Sequence, residues 1–509
     1  MKANVVQILV SIVVYLIAML GIGFFFAKRS GKGASSYYLG GRSLGPLVTA
    51  MSAEASDMSG WLLMGLPGLA LLCGVAEASW TAIGLAIGTY LNWLFVAKRL
   101  RRYSQAAGDA ITIPQFFSNR FADKRNILKT VAAGIIIIFF VPYTASGFMT
   151  CGKLFSTLFG MDYHLAMGIA AAVIILYTVI GGFLAASVTD LVQTIVMTVS
   201  LLAVIGFGVA SAGGFGAVFE NAKAIPNFFD LTGVAGQGSG SFGALSIVTT
   251  LAWGLGYFGM PHVLLRFMAI KDGRQIKTSR RIATSWVVIS MAAAIFIGVV
   301  GNRLMQMGIL PQYASTAESE TVIVDMAKLI SNNGVLLALL AGVILAGVMA
   351  ATMSTSDSQL LTAASAVSED LLRGTCRLKI GEKASVWIAR GTVILVSIVG
   401  VALAWNPNNS VFKVVSFAWA GFGATFGPLM LFSLFWKRTT LPAAIAGLIT
   451  GGVTIFVWKY LVAPNVSFLN VYELLPAFIL SSLVIVIVSL CTKKPSQSIL
   501  DTFQAAKNG

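Results

Sequence analysis

The sequence predicts an all-α integral membrane protein of about 13 transmembrane helices, and three observations carry that expectation. Charged residues make up 11% of the 509 residues, less than half the share of about 25% usual in soluble domains. Hydrophobic residues make up 57%, and mean hydropathy is +0.85. Apolar runs of about 20 residues recur along nearly the whole chain, each long enough to cross a hydrocarbon layer of roughly 30 Å. A soluble multidomain enzyme, a disordered chain and a fibrous chain are thereby excluded.

The expected spans are 5–27, 45–73, 75–97, 127–158, 163–182, 184–212, 244–269, 283–308, 334–366, 386–405, 410–436, 440–462 and 470–492. The first is followed by positive charge and has no small-residue cleavage site, so it reads as a span and not as a cleaved signal peptide. The segment starting Ile113-Pro114-Gln115 reads as an interfacial helix. Short helices are expected in the loops 213–243 and 309–333, and a short amphipathic segment after Pro495.

Basic residues set the orientation. Of the 35 Lys and Arg, 28 fall in alternate loops, at the span ends beside them (Lys129, Arg266 and Arg390) or in the C-terminal tail when the N-terminus is placed outside. That asymmetry is the positive-inside signature. It predicts an inner (plasma) membrane protein with a cytoplasmic C-terminus. The net charge of +16 is then a topology signal, and nucleic-acid binding is not expected. The four cysteines form no CxxC pair or zinc spacing. The two histidines, His164 and His262, form no HExxH motif.

Two spans are interrupted. The second carries SAEASDMSGWLLMGLPG (52–68) and the seventh carries WGLGYFGMP (253–261). Glycine and proline disfavour helix. Broken backbone at membrane depth persists only where it is buried in protein or lines a cavity. Two breaks five spans apart, in spans of opposite direction, point to an inverted repeat with the binding site between the breaks. The expected organisation is residues 1–44 as a first helix and inner loop, 45–212 and 244–437 as the two repeats, 438–492 as two further helices, and 493–509 as a tail.

Intramembrane acids are costly and usually functional. Five lie at or near membrane depth: Glu54, Asp57, Glu77, Asp190 and Asp357. Asp57 lies about 18 Å from the inner end of its span at 1.5 Å per residue. Glu77 follows a short turn and is expected near the outer face. In the ninth span, Ala351, Ser354, Thr355 and Ser358 share one helical face at a depth matching Asp57. Carbonyls freed by a helix break, opposite a Ser–Thr pair, suit a hard monovalent cation such as sodium. For Asp190 three roles stand open: a second cation site, an inner exit path, or a partner for a hydroxyl. Asp357, one turn inward of Ser354, is expected to line an inner vestibule. Trp253, Tyr257 and Pro261 recur every four residues on one side of the seventh span, flanking its break. Aromatic faces and a free helix N-terminus together suit a small zwitterion such as an amino acid.

These segments, with GGFLAASVTDLVQ (181–193), MSTSDSQLL (353–361), SFAWAGFGATFGP (416–428) and LGGRSLGP (39–46), resemble the sodium:solute symporter family, and within it the proline-transporting branch. The resemblance runs over almost the whole chain. It implies a five-plus-five inverted-repeat (LeuT-type) core and sodium-coupled import of L-proline by alternating access. It also implies site roles. Ala55, Met58 and Ala351 would give carbonyls to sodium, and Ser354 and Thr355 hydroxyls. Asp57 and Asp190 would serve coupling or a second sodium. Ser59, Gly60, Trp61, Tyr143, Trp253, Tyr257 and Pro261 would shape the substrate pocket, and Arg42 would serve coupling and gating. Two positions depart from the branch: Glu54 stands where a small residue is expected, and Met260 where glutamine is expected. The alternative within the class is another small solute: a different amino acid, a betaine-like osmolyte or a carboxylate. An intramembrane enzyme has no nucleophile–base pair or metal spacing to support it.

Overall fold

The computed structural model describes residues 3–30, 33–238, 240–466 and 469–508. In chain order, α1 is Ala3–Ser30, α2 Ala34–Leu39, α3 Pro46–Asp57, α4 Trp61–Cys73 and α5 Val75–Ala106. The interfacial helix is α6, Ile113–Arg120, its first turn capped by the Thr112 hydroxyl accepting from the Gln115 N–H, the usual role of threonine at that position. Then come α7 Ile127–Phe159, α8 Tyr163–Val179, α9 Gly181–Ser211 and the short α10 Gly214–Ala224. The second half continues with α11 Ala244–Phe258, α12 Pro261–Ala269, α13 Ile276–Gln306, α14 Thr316–Ser319, α15 Val322–Ser331 and α16 Val335–Thr375. It ends with α17 Glu382–Leu403, α18 Val411–Phe435, α19 Leu441–Val462, α20 Leu474–Cys491 and the tail helix α21 Gln497–Asn508.

Among the described residues, ten single helices are long and apolar enough to cross a membrane, and the bent pair α3–α4 makes an eleventh span. The other two expected spans correspond to shorter apolar helices, α8 and α11. The difference in count has a physical cause. Helix α8 is separated from α9 only by a kink at Gly182, whose φ of 67° is a backbone state that glycine enters without cost. Helix α11 is shortened because its span breaks again at Gly259–Met260.

Every residue of α16 from Ile344 to Ala366 is buried by the helices around it. It packs against α7, α9, α1 and α3 and forms the centre of the molecule. Helices α1, α19 and α20 lie at the periphery and expose large apolar side chains such as Val14, Ile17, Val453 and Ile487, the expected surface toward lipid tails. Near Arg42, the start of α3 meets the end of α12 in a two-residue bridge. The Leu44 N–H donates to Ala269 O (3.2 Å) and the Lys271 N–H to Leu44 O (2.9 Å). The entry to the first broken span and the exit from the second are therefore held side by side here.

Candidate functional site

The first break begins where Met58 leaves helical geometry (φ −76°, ψ 72°) and bends the span by 63°. Gly60 is required there by close approach: a Cβ at this position would lie 2.2 Å from the Thr150 hydroxyl of α7. In the second, α11 tightens to 3-10 geometry over Ala252–Phe258, Met260 is extended, and Pro261 opens α12. Proline is at home in the first turn of a helix because no intrahelical partner awaits its missing N–H.

Four of the five expected sodium ligands come together opposite the first break. Ser354 Oγ lies 2.7 Å from Ala55 O and 3.1 Å from Ala351 O; Thr355 Oγ1 lies 3.3 Å and 3.1 Å from the same two carbonyls. All four residues are buried. The cluster holds four oxygens but only two hydroxyl protons, so it is rich in lone pairs and can accept a hard cation. Met58 lies three residues beyond Ala55, and its N–H donates to Glu54 O (2.8 Å); no hydrogen bond joins it to the cluster among the described residues.

On the other side of the break, the Tyr257 hydroxyl donates to Asp57 Oδ2 at 2.5 Å. Asp57 O accepts from the Trp61 indole (3.1 Å) and the Tyr143 hydroxyl (3.4 Å). Ser59 stands in the bend with its N–H on Asp57 O at 2.8 Å. Trp61 and Trp253 face each other at 6.3 Å, and Trp253 stacks on Tyr472 at 5.3 Å. Trp253 also floors a cavity of about 410 Å³ that opens toward the Cys73 end of α4, with Gly65, Phe412 and Glu320 in its wall. At the opposite end Arg42 closes the molecule. Its guanidinium donates to Asp109 (3.0 Å), Ser104 (3.1 Å), Met268 O (2.7 Å) and Ala110 O (2.8 Å). It thus ties the loop before α3 to the end of α12. A cavity thus reaches Trp253, and a polar clamp joins the entry of α3 to the end of α12.

The expected four-residue aromatic face is corrected. In 3-10 geometry side chains repeat every three residues, so Trp253, Tyr257 and Pro261 share no face. Trp253 and Tyr257 are instead brought together by Trp419, at 6.2 Å and 5.0 Å, and Pro261 lies beyond the break. Asp357, expected to line an inner vestibule, is fully buried and walls a small void with Tyr177, Thr178 and Leu361. Glu77 is partly exposed in the cavity wall. Asp190 accepts the Ser52 hydroxyl at 2.6 Å, the third of its open roles.

Three partners were not foreseen. Asp190 also pairs with Arg266 (3.3 Å), which further donates to Ser52 (3.0 Å) and Ser358 (2.5 Å). Arg266 counted among the loop charges, yet it lies within the seventh expected span; an arginine there demands a buried partner, and that was the available signal. Lys153 pairs with Glu320 at 2.6 Å, and Glu320 also accepts from the Val411 and Phe412 N–H groups at the start of α18. Glu54 accepts from the Trp93 indole at 2.9 Å. His262 is buried between Phe140 and Tyr143, and among the described residues no group of three or more His, Cys, Asp or Glu could hold a metal ion.

A model of the sodium:solute symporter family matches residues 37–451, and the chain belongs to that family. It is 43% identical over 506 residues to the sodium/proline symporter of Haemophilus influenzae, covering 98% of this chain and 97% of that one. It is 43% identical over 500 residues to the sodium/proline symporter of Escherichia coli (98% and 96% covered), and 40% identical over 496 residues to that of Staphylococcus aureus strain USA300 (96% and 93%). In structure it is similar to a Na+-coupled sialic acid symporter in a substrate-bound outward-open state (TM-score 0.78, 19% identity, 96% and 99% covered). It is also similar to a nucleobase-cation-symport-1 family transporter (TM-score 0.52, 17% identity, 92% and 98% covered). These likenesses show the fold: a multi-pass membrane transporter of the LeuT type.

Proposed function

We propose that this chain is a sodium-coupled importer of L-proline that works by alternating access. The observation that carries the reading is the oxygen cluster of Ala55, Ala351, Ser354 and Thr355, which joins the broken span to α16. Sodium takes those oxygens and the Met58 carbonyl, replacing hydroxyl-to-carbonyl bonds with ion contacts, and so fixes the shape of the break. Asp57 lies two residues from Ala55 and couples that ordering to Tyr257 across the pocket. The substrate lies between the breaks, with Ser59, Gly60, Trp61, Tyr143, Trp253, Tyr257 and Pro261 around it. Binding of both shifts the population toward the inward-facing state, in which the Arg42 clamp opens. Asp190 serves the coupling path through Ser52, which lies one turn before Ala55.

The N-terminus is outside and the C-terminus cytoplasmic, in the plasma membrane. Residues 45–212 and 244–437 are the two repeats, and the protein acts as a transporter and not as an enzyme. One charge moving down 100 mV supplies ~2.3 kcal/mol, and a tenfold sodium gradient adds ~1.4 kcal/mol. Together they support roughly 500-fold accumulation for one ion per substrate.

Uptake of radiolabelled L-proline into proteoliposomes tests the reading. It should require an inward sodium gradient. Equal uptake with choline in place of sodium and an imposed proton gradient would overturn it. The same assay with other amino acids, betaine-like osmolytes and carboxylates tests the substrate.

A further inference from the structure

Glu54 departs from the pattern of its branch, and the oxygen cluster does not use it. It lies on the same face of α3 as Asp57, three residues earlier. Both carboxylates are buried, and each has one oxygen already bonded: Glu54 Oε1 by the Trp93 indole and Asp57 Oδ2 by the Tyr257 hydroxyl. The other two oxygens, Glu54 Oε2 and Asp57 Oδ1, have no hydrogen-bond partner. Among the described residues, no ion pair with Lys, Arg or His reaches either carboxylate.

The facing helix α5 repeats the pattern. Thr89, Asn92 and Trp93 share one face, and all three are buried. The Asn92 side-chain N–H donates to Tyr257 O at 2.9 Å, so its amide is oriented by α11 and its oxygen is left over. Asn92 Oδ1 and Thr89 Oγ1 are both without a hydrogen-bond partner. The helices are held together here without room for adjustment: a Cβ on Gly88 would lie 2.2 Å from Gly254 O. Three elements thus bring two carboxylate oxygens, an amide oxygen and a hydroxyl, all buried and all unmatched, around Tyr257. Leaving such groups unmatched is costly. Hydrogen-bond donors are absent from this set apart from one hydroxyl, so what satisfies it is positive charge.

We propose that Glu54, Asp57, Thr89 and Asn92 form a second monovalent-cation site between α3, α5 and α11, which takes sodium in addition to the ion at Ser354 and Thr355. The site rests on the sodium-coupled reading above and deepens it, giving two ions per substrate. Oxygen-only ligation suits a hard cation, and a proton would satisfy only two of the four oxygens.

The test is equilibrium binding of 22Na+ to the purified full chain, with the sodium-to-proline flux ratio measured in proteoliposomes. Wild type should bind two ions and move two per proline. Glu54→Gln should bind one, as should Asn92→Ala. Ser354→Ala should also bind one, with the Glu54 ion kept. A single bound ion in wild type overturns the proposal whether or not any variant folds. So does a second ion that survives in Glu54→Gln, or a co-transported proton that Glu54→Gln removes. Sodium-dependent uptake with one ion counts against this site alone, whereas uptake independent of sodium counts against the transport reading itself.

Discussion

Helices α3 and α16 meet twice, and the two junctions are built differently. At the first, Ala55 faces Ala351, Ser354 and Thr355, and every group is a neutral oxygen donor. At the second, one turn away on each helix, Ser52 and Ser358 are joined through Arg266, and Asp190 completes the set. The second junction has its cation covalently attached. The first has oxygens only, and under the proposed function its cation comes from solution. The difference separates a permanent brace from an exchangeable switch: a tethered guanidinium cannot leave, whereas a bound ion can report a gradient.

Breaking the tethered junction should have the largest effect. Arg266→Ala leaves Asp190 buried and unpaired, and such losses cost about 3–5 kcal/mol; thermal unfolding in detergent should show a loss of that size, smaller when Asp190→Asn is added. Lys153→Met should behave alike, because Glu320 would stay buried at the start of α18 without its cation. A loss in either variant no larger than that of an exposed ion pair would remove the distinction drawn here. The exchangeable junction comes next. Sodium at 100 times its dissociation constant should stabilise the wild type by about 2.7 kcal/mol. Ser354→Ala or Thr355→Ala should abolish most of that shift and raise the sodium requirement of uptake about tenfold, ~1.4 kcal/mol. The proline requirement should change less; equal loss of both would place the ion elsewhere. The smallest effect is expected at the Arg42 clamp. Asp109 is 69% exposed in its pair with Arg42, and exposed pairs contribute under about 1 kcal/mol. Asp109→Ala should leave stability nearly unchanged, since Met268 O, Ser104 and Ala110 O still hold the guanidinium.

The oxygen cluster was legible in sequence because its parts are local patterns. A Gly- and Ser-interrupted apolar run signals a break, and the spacing of Ala351, Ser354 and Thr355 puts them on one face. The charged junction was not legible. Arg266, Asp190, Ser52 and Ser358 lie on four separate segments, and no periodicity links them. The aromatic set was half legible. Trp253 and Tyr257 were marked by the break beside them, but their geometry depends on α11 tightening to a 3-10 turn. That tightening follows from packing on Trp419 and α5, which local sequence does not report. Glu54 was visible as a departure, while its partner Trp93 lies on a helix with no motif.

The sequence by itself determined that the chain crosses a membrane many times, which spans break, and which face of the ninth span carries hydroxyls. Those properties follow from transfer energies and backbone preferences that act residue by residue. Only the tertiary structure decided which carboxylate receives a guanidinium, which receives a tyrosine hydroxyl, and which keep an oxygen without a partner. In a medium of low dielectric a buried charge is governed by what lies within a few ångströms of it, and that neighbourhood exists only once the helices have packed.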